Sequence, residues 1–332
     1  RRQALVAIAA LPYGALAAAK LAGTEIAPEA FLPQATAAIT SCWSIMQYRD
    51  FAAVKQALSH CLPALSTLAQ KFSSYQPVAA SLVLQCNLLL GLVALHQQPS
   101  PQNYRQRLLY CKQATEYIEH VPDPTLRILS LTHLGSAESD LEHIPAMLAA
   151  HEEAVHLSNH EFVSPMLRRK VFVRLAWAYA RAGQVQSAMR YHGELRTSLP
   201  TVTEHVPVYL QDSGSFFEGL TEAQMFEQLG RQTKTSTYYQ RAWTAIEEVE
   251  RPSSTLLVPE RFRLEAINQK ALVAVRLGDL EQFMDLSLQG IQGAKALQSE
   301  KRRQEIIANW KEARKVWPRE PHILELADAL VE

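Results

Sequence analysis

The chain has 332 residues, 48% of them hydrophobic, with only 12 glycines, no formal net charge and a pI near 7.3. That apolar content excludes a disordered chain, and the neutral balance excludes the overall basic footprint of a nucleic-acid binder. Ala, Leu, Gln and Glu dominate over Val, Ile and Thr, and no alternating apolar–polar run is closed by hairpin turns, so helix is expected throughout.

In chain order, Arg1-Arg2-Gln3-Ala4-Leu5-Val6 opens an Ala-rich run that reads as a helix over 3–22. Residues 1–24 are taken as a cap, or as the junction to a domain outside this sequence. The competing reading is a twin-arginine export leader, which would make the chain an exported, free-standing scaffold. Pro12, Tyr13 and Lys20 interrupt the apolar run and leave it too short to span a bilayer. Further helices are predicted over 28–48, 51–72, 77–96, 102–120, 125–141, 144–159, 165–182, 185–198, 208–229, 235–250, 259–277, 280–297, 300–316 and 321–331. Prolines stand at or near many of these starts (Pro28, Pro77, Pro101, Pro124, Pro165, Pro207, Pro259, Pro321), where a missing N–H costs nothing. No long Pro/Gly/Ser linker divides residues 25–332, which are read as one continuous domain. No membrane span is expected. Cys42, Cys61, Cys86 and Cys111 sit far apart within helical apolar patterns, without metal-ligand spacing, and fit a reducing, cytoplasmic setting.

Within this helical array, Phe172-x-x-Leu175-Ala176-x-x-Tyr179, then Ala188-x-x-x-His192, closed by Pro200, has the spacing of a tetratricopeptide repeat. Phe172, Leu175 and Tyr179 share one face of the first helix, and Ala176 and Ala188 are small where two helices must approach. Gly183 ends the first helix and Pro200 stops the second. The pattern recurs one hairpin earlier, at Leu131, Leu134, Gly135 and Glu138 with Met147, His151 and Ala154. It recurs later at Ile267 and Ala271 before Leu277-Gly278-Asp279-Leu280, and loosely around Gly91 and Ala114. The fold expected is an all-α, right-handed superhelix (solenoid) of roughly seven such hairpins, each burying its apolar face on its neighbours.

The last third adds a second likeness. Val258-Pro259-Glu260-Arg261, Leu277-Gly278-Asp279-Leu280, Gly293-Ala294-Lys295-Ala296-Leu297, Ser299-Glu300-Lys301-Arg302-Arg303-Gln304-Glu305 and Trp317-Pro318-x-Glu320-Pro321 resemble the C-terminal region of certain bacterial regulators. These are helix-turn-helix proteins of the Cro/cI (XRE) type, in which a long tetratricopeptide region follows the DNA-binding part. Arg1-Arg2-Gln3-Ala4-Leu5 and the run to Leu11-Pro12 resemble the start of that region. The resemblance implies a region that receives a peptide or protein signal and passes it to the DNA-binding domain. It implies contact with DNA only through that domain, which this sequence does not contain, and it supplies no catalytic residues.

Catalytic and metal signatures are missing. His151 and His156 flank two glutamates in the manner of a zinc motif, but five residues turn the helix by about 140°, so they do not share a face. No metal and no cofactor is expected. No Gly-rich phosphate loop or nucleophile elbow appears, and the chain is read as a non-enzyme. Glu138 and His151 take positions that are ordinarily apolar in this hairpin, and the reading pairs them across it.

A ligand would be received on the groove lined by the first helix of each hairpin. The register of Phe172 and Tyr179 sends Lys170, Val173, Arg174, Trp177 and Arg181 there; the preceding hairpin adds Leu129, Thr132, His133 and Ser136. The later one adds Glu265, Asn268, Gln269, Leu272 and Arg276. Trp177 flanked by arginines suits a peptide anchor that also recognises carboxylate, or else packs against the next repeat. Asn268 could bond an extended peptide backbone. The expected partner is a peptide or protein in this groove, and the competing role is a homodimer or scaffold module.

Overall fold

The computed structural model describes residues 27–46, 50–97, 99–160, 162–197, 207–210, 214–250, 258 and 260–331. The expected helix over 3–22 and Pro200 lie outside them. Among the described residues there are fourteen α-helices and no strand. They are α1 (Pro28–Ile45), α2 (Phe51–Gln70), α3 (Gln76–Gln97), α4 (Pro101–Thr115), α5 (Pro124–Asp140), α6 (Ile144–His160), α7 (Pro165–Arg181), α8 (Val185–Thr197), α9 (Ser215–Thr233), α10 (Ser236–Glu250), α11 (Glu260–Leu277), α12 (Leu280–Ala296), α13 (Glu300–Val316) and α14 (Pro321–Val331). The all-α expectation of packed helical hairpins holds. Two compact units are formed, one of Arg1–Leu167 with Thr203–Gln211, the other of Arg168–Val202 with Asp212–Glu332.

In the first unit α3 is the axis. It is long and apolar enough to cross a membrane by length and composition, with a mean hydropathy of 2.2, yet most of it is buried against α2, α4, α1 and α5. Leu84, Leu88 and Leu89 are among its fully buried side chains. The four cysteines are free and buried in this unit, and burial pushes the Cys42 thiol up to about 12. Side chains cap the helix starts: Ser100 accepts from the Asn103 N–H at 3.2 Å, and Asp123 from the Thr125 N–H at 2.8 Å. The helix expected over 208–229 is corrected. Val208–Leu210 form a short 3-10 turn whose Tyr209 hydroxyl donates to Asp123 at 2.7 Å, and α9 begins only at Ser215. Gly214, with φ of 102°, stands immediately before α9 in a backbone conformation that no helix continues through.

The α5–α6 hairpin shows why the repeat wants a small residue. A Cβ on Gly135 would sit 2.7 Å from the His151 ring. His151 is buried there, while the charge of Glu138 is met by His143 Nδ1 at 2.7 Å and Lys112 Nζ at 3.3 Å. The pairing expected for Glu138 thus comes from its own turn and from α4.

In the second unit α7–α8, α9–α10, α11–α12 and α13–α14 pair in sequence. Leu175, Ala176 and Ala188 are fully buried, and both Phe172 and Tyr179 pack on Tyr191 of α8, with ring centroids 6.4 and 5.6 Å apart. Gly183, at φ of 75°, closes α7 as anticipated. The Gln184 N–H returns to the Tyr179 carbonyl at 2.9 Å. Phe283, Ile306 and Ile323 centre a core to which the Trp310 indole is tied through the Ile323 carbonyl at 2.8 Å.

Candidate functional site

The first helices of the second unit, α7, α9, α11 and α13, are stitched side by side by buried charge. Arg169 on α7 donates through Nε to Glu218 of α9 at 2.9 Å. Arg276 on α11 reaches Glu227 of α9 at 3.2 Å and Glu312 of α13 at 2.9 Å. Arg302 on α13, buried, grips Glu265 of α11 and Glu305 of its own helix, both at 2.9 Å. Such pairs cost desolvation, so their value is positional: removing one partner leaves a charge buried alone.

Burial pushes the Glu265 carboxyl up, but Arg302, Lys301 and Arg174 outweigh it and hold it below the ordinary value of 4.5. Glu305 meets the same burial with Glu265 as a like-charged neighbour, and stays above that value despite Arg302 and Lys301. From α8, His192 Nε2 lies 2.8 Å from Glu222 and Arg196 donates to the same oxygen at 2.8 Å, locking α8 onto α9.

With that charge engaged in the helix layer, a half-buried stripe is left on each helix. On α7 it comprises Arg174, Trp177 and Arg181, and both guanidinium groups stand over the indole, 6.0 and 5.6 Å from its centroid. On α9 it comprises Phe217, Gln224 and Gln228, with Thr221 buried on the same side of the helix, at helical spacing. Arg174, Phe217 and Thr221 line one small recess, which places the α7 and α9 stripes side by side. On α11 it comprises Glu265, Gln269, Leu272 and Arg276; Gln224 donates to Glu265 at 3.5 Å, and the Phe217 and Phe262 rings meet edge to face at 4.6 Å. On α13 it comprises Lys301, Glu305 and Glu312.

The structure therefore brings Arg174, Trp177, Arg181, Glu265 and Arg276 onto one continuous face. Other residues expected in the groove sit differently. Lys170 and Val173 are buried beneath the recess that Arg174 also lines, and His133, Leu129 and Thr132 are buried on α5 of the first unit. Asn268 is 3% exposed, and its side-chain N–H groups donate to the Arg302 carbonyl at 3.2 Å and to Glu305 at 3.0 Å. Its amide serves the contact of α11 with α13. The α9 stripe went unread in the sequence, although Phe217, Thr221, Gln224 and Gln228 repeat at intervals of four, three and four.

The face can act as a binding surface of mixed character: an aromatic plate held between two cations, neutral amides in the middle, and balanced carboxylate–guanidinium pairs beyond. Carboxylates, aromatic edges and peptide amides are the groups it matches. Among the described residues no cluster of three or more His, Cys, Asp or Glu could hold a metal.

No family model matches the sequence, and no curated protein does. Solved structures that resemble this chain include two of one protein. The apo form of the quorum sensor NprR from B. thuringiensis is 16% identical, with a TM-score of 0.48 over 83% of this chain and 68% of that one. NprR in complex with its cognate peptide NprX is 17% identical, with a TM-score of 0.52 over 87% of this chain and 74% of that one. At this identity the likeness to the complex is one of fold.

Proposed function

We propose that the second unit binds a peptide, or an extended segment of a protein, on the face built by α7, α9, α11 and α13. We propose further that the chain is the ligand-sensing region of a helix-turn-helix transcriptional regulator, reaching DNA only through a domain outside this sequence. The observation that carries the binding reading is the half-buried Trp177 indole with the guanidinium groups of Arg174 and Arg181 over it. An indole with two guanidinium groups supplies apolar area and carboxylate recognition at one point, the combination found at binding hot spots. The likeness in fold to NprR with its peptide NprX supports the reading. The regulator part rests on the resemblance of the C-terminal third to XRE-type proteins.

Panning a random, unstructured peptide library against the purified chain tests it. Enriched peptides should carry an acidic group, and the Arg174→Ala/Trp177→Ala/Arg181→Ala variant, folded by circular dichroism, should bind them at least about thirtyfold more weakly. Retained affinity in that variant would remove the face as the site. Light scattering on the same two proteins separates the competing role: a stable dimer that those substitutions dissociate would make the face a self-association surface.

A further inference from the structure

On the far side of α13 from that face, a cleft of about 260 Å³ opens between α12, α13 and α14. Its floor is Ile291, Ala294, Ile306 and Leu330, all buried. Its rim carries two cations. Arg303 is already held, donating to the Leu330 carbonyl at 2.6 Å and to Glu300 at 3.5 Å, while Gln304 also donates to Glu300 at 2.7 Å. The Lys295 side chain is exposed, and its ammonium makes no hydrogen bond or ion pair with any described residue; its backbone carbonyl accepts from the Gln298 N–H at 3.1 Å. Among the described lining residues the rim thus has one carboxylate, Glu300, engaged by its own helix, against two cations, of which Lys295 still has its charge to give.

We infer that this cleft is a second, independent site for a small single-tailed carboxylate. The tail lies on Ile291, Ala294, Ile306 and Leu330, and the head is met by Lys295, with the outward N–H groups of Arg303 beside it. The volume lies just below the roughly 300 Å³ at which sites for drug-sized molecules begin, and it suits a short acyl chain. A mostly apolar wall with one or two placed polar groups is the make-up of small-molecule sites. The sign of the rim decides the head group, since an ammonium would meet Lys295 and Arg303 as like charges. Residues 303 and 305 stand about 160° apart around α13, so a ligand here does not compete for the peptide face.

Octanoate, octylamine and octanol are titrated into the intact chain by calorimetry, with methyl NMR shifts followed for Ile291 and Ile306. Octanoate should bind saturably and move both methyls, octanol should bind about tenfold more weakly, and octylamine should not saturate. Lys295→Glu, on an exposed helix position, should weaken octanoate about fivefold without shifting the melting temperature. Ala294→Phe, which fills the floor, should abolish binding. Absence of saturable octanoate binding, equal binding of octylamine, or octanoate affinity indifferent to Lys295→Glu would each overturn the inference. Peptide capture by the first-helix face is measured separately, so either site can fail alone.

Discussion

The side-chain amide of Asn309 donates to the backbone carbonyl of Asn268 at 2.7 Å, and the side-chain amide of Asn268 returns to the backbone carbonyl of Arg302 at 3.2 Å. Two asparagines on adjacent first helices thus hydrogen-bond across to each other's helix, bonding α11 to α13 in both directions. Both side chains are buried, so water cannot replace a lost partner.

Asn268→Ala should therefore lower stability by about 2–3 kcal/mol, because it removes a buried donor from the Glu305 carboxylate and the second hydrogen bond of the Arg302 carbonyl. Asn309→Ala should cost about 1–2 kcal/mol, and the double variant less than the sum. Chemical denaturation of the three proteins checks this. Were Asn268 chiefly a contact for ligand, Asn268→Ala would instead leave the denaturation midpoint in place and reduce only peptide binding.

Glu222 gives the fold an acid-sensitive joint. Burial pushes its carboxyl up, but the hydrogen bond and charge of His192, with Arg196, more than offset this and leave it below the ordinary 4.5. A folded value below the unfolded one means that ionised Glu222 stabilises the fold. The contribution is complete above about pH 4.5 and fades as pH falls through the lower, folded value. Glu222→Gln should cost about 2 kcal/mol near neutral pH, and the gap to the parent protein should narrow below about pH 4.5. Melting temperatures over that range provide the test; a gap that stays constant into acid would assign the effect to packing.

Gly135 and His151 predict a steric outcome. Alanine favours a helix interior over glycine by about 1 kcal/mol, yet a Cβ here meets three atoms of the buried His151 ring within 2.9 Å. Overpacking of this kind costs about 1–3 kcal/mol, so Gly135→Ala should be destabilising on balance. Adding His151→Ala should cost less in the Gly135→Ala background than alone, a coupling that a double-mutant cycle reads directly.

These residues also show what the sequence could reveal. Helix starts were legible because their signals are local: proline at the first position of α1, α4, α5, α7 and α14, and glycine in the turns at 183 and 278. The start of α9 misled because Pro207 carries the same local signal as a true first turn, while Gly214 acts only through its backbone conformation. The stripe of Arg174, Trp177 and Arg181 follows from helical spacing alone. Asn268, Lys170 and His133 share such spacing, but whether a polar side chain on a first helix stays open or is covered depends on where neighbouring helices dock. That placement is set by contacts such as Arg302 with Glu265, from residues 37 positions apart in sequence, which no local pattern encodes.

The helical turns hold one more difference that the backbone makes measurable. Gly183 and Gly278 take φ of 75° and 77°, but the equivalent turn after α5 is filled by Glu142 at φ of 59°. The hydrogen bonds match: the His143 N–H returns to the Glu138 carbonyl at 3.0 Å, as the Gln184 N–H does to that of Tyr179 at 2.9 Å. A non-glycine residue in the left-handed region carries about 1–2 kcal/mol of strain, part of which glycine gives back through its freer unfolded chain. Glu142→Gly should accordingly raise stability by up to about 1 kcal/mol, and Gly183→Ala should lower it by a similar or larger amount. In a chain of 332 residues about 1–2 °C per kcal/mol is expected in the melting temperature, within reach of calorimetry. Glu142→Ala separates the causes: it removes the carboxylate while keeping the strained backbone, so a rise for Glu142→Gly with none for Glu142→Ala would assign the gain to φ.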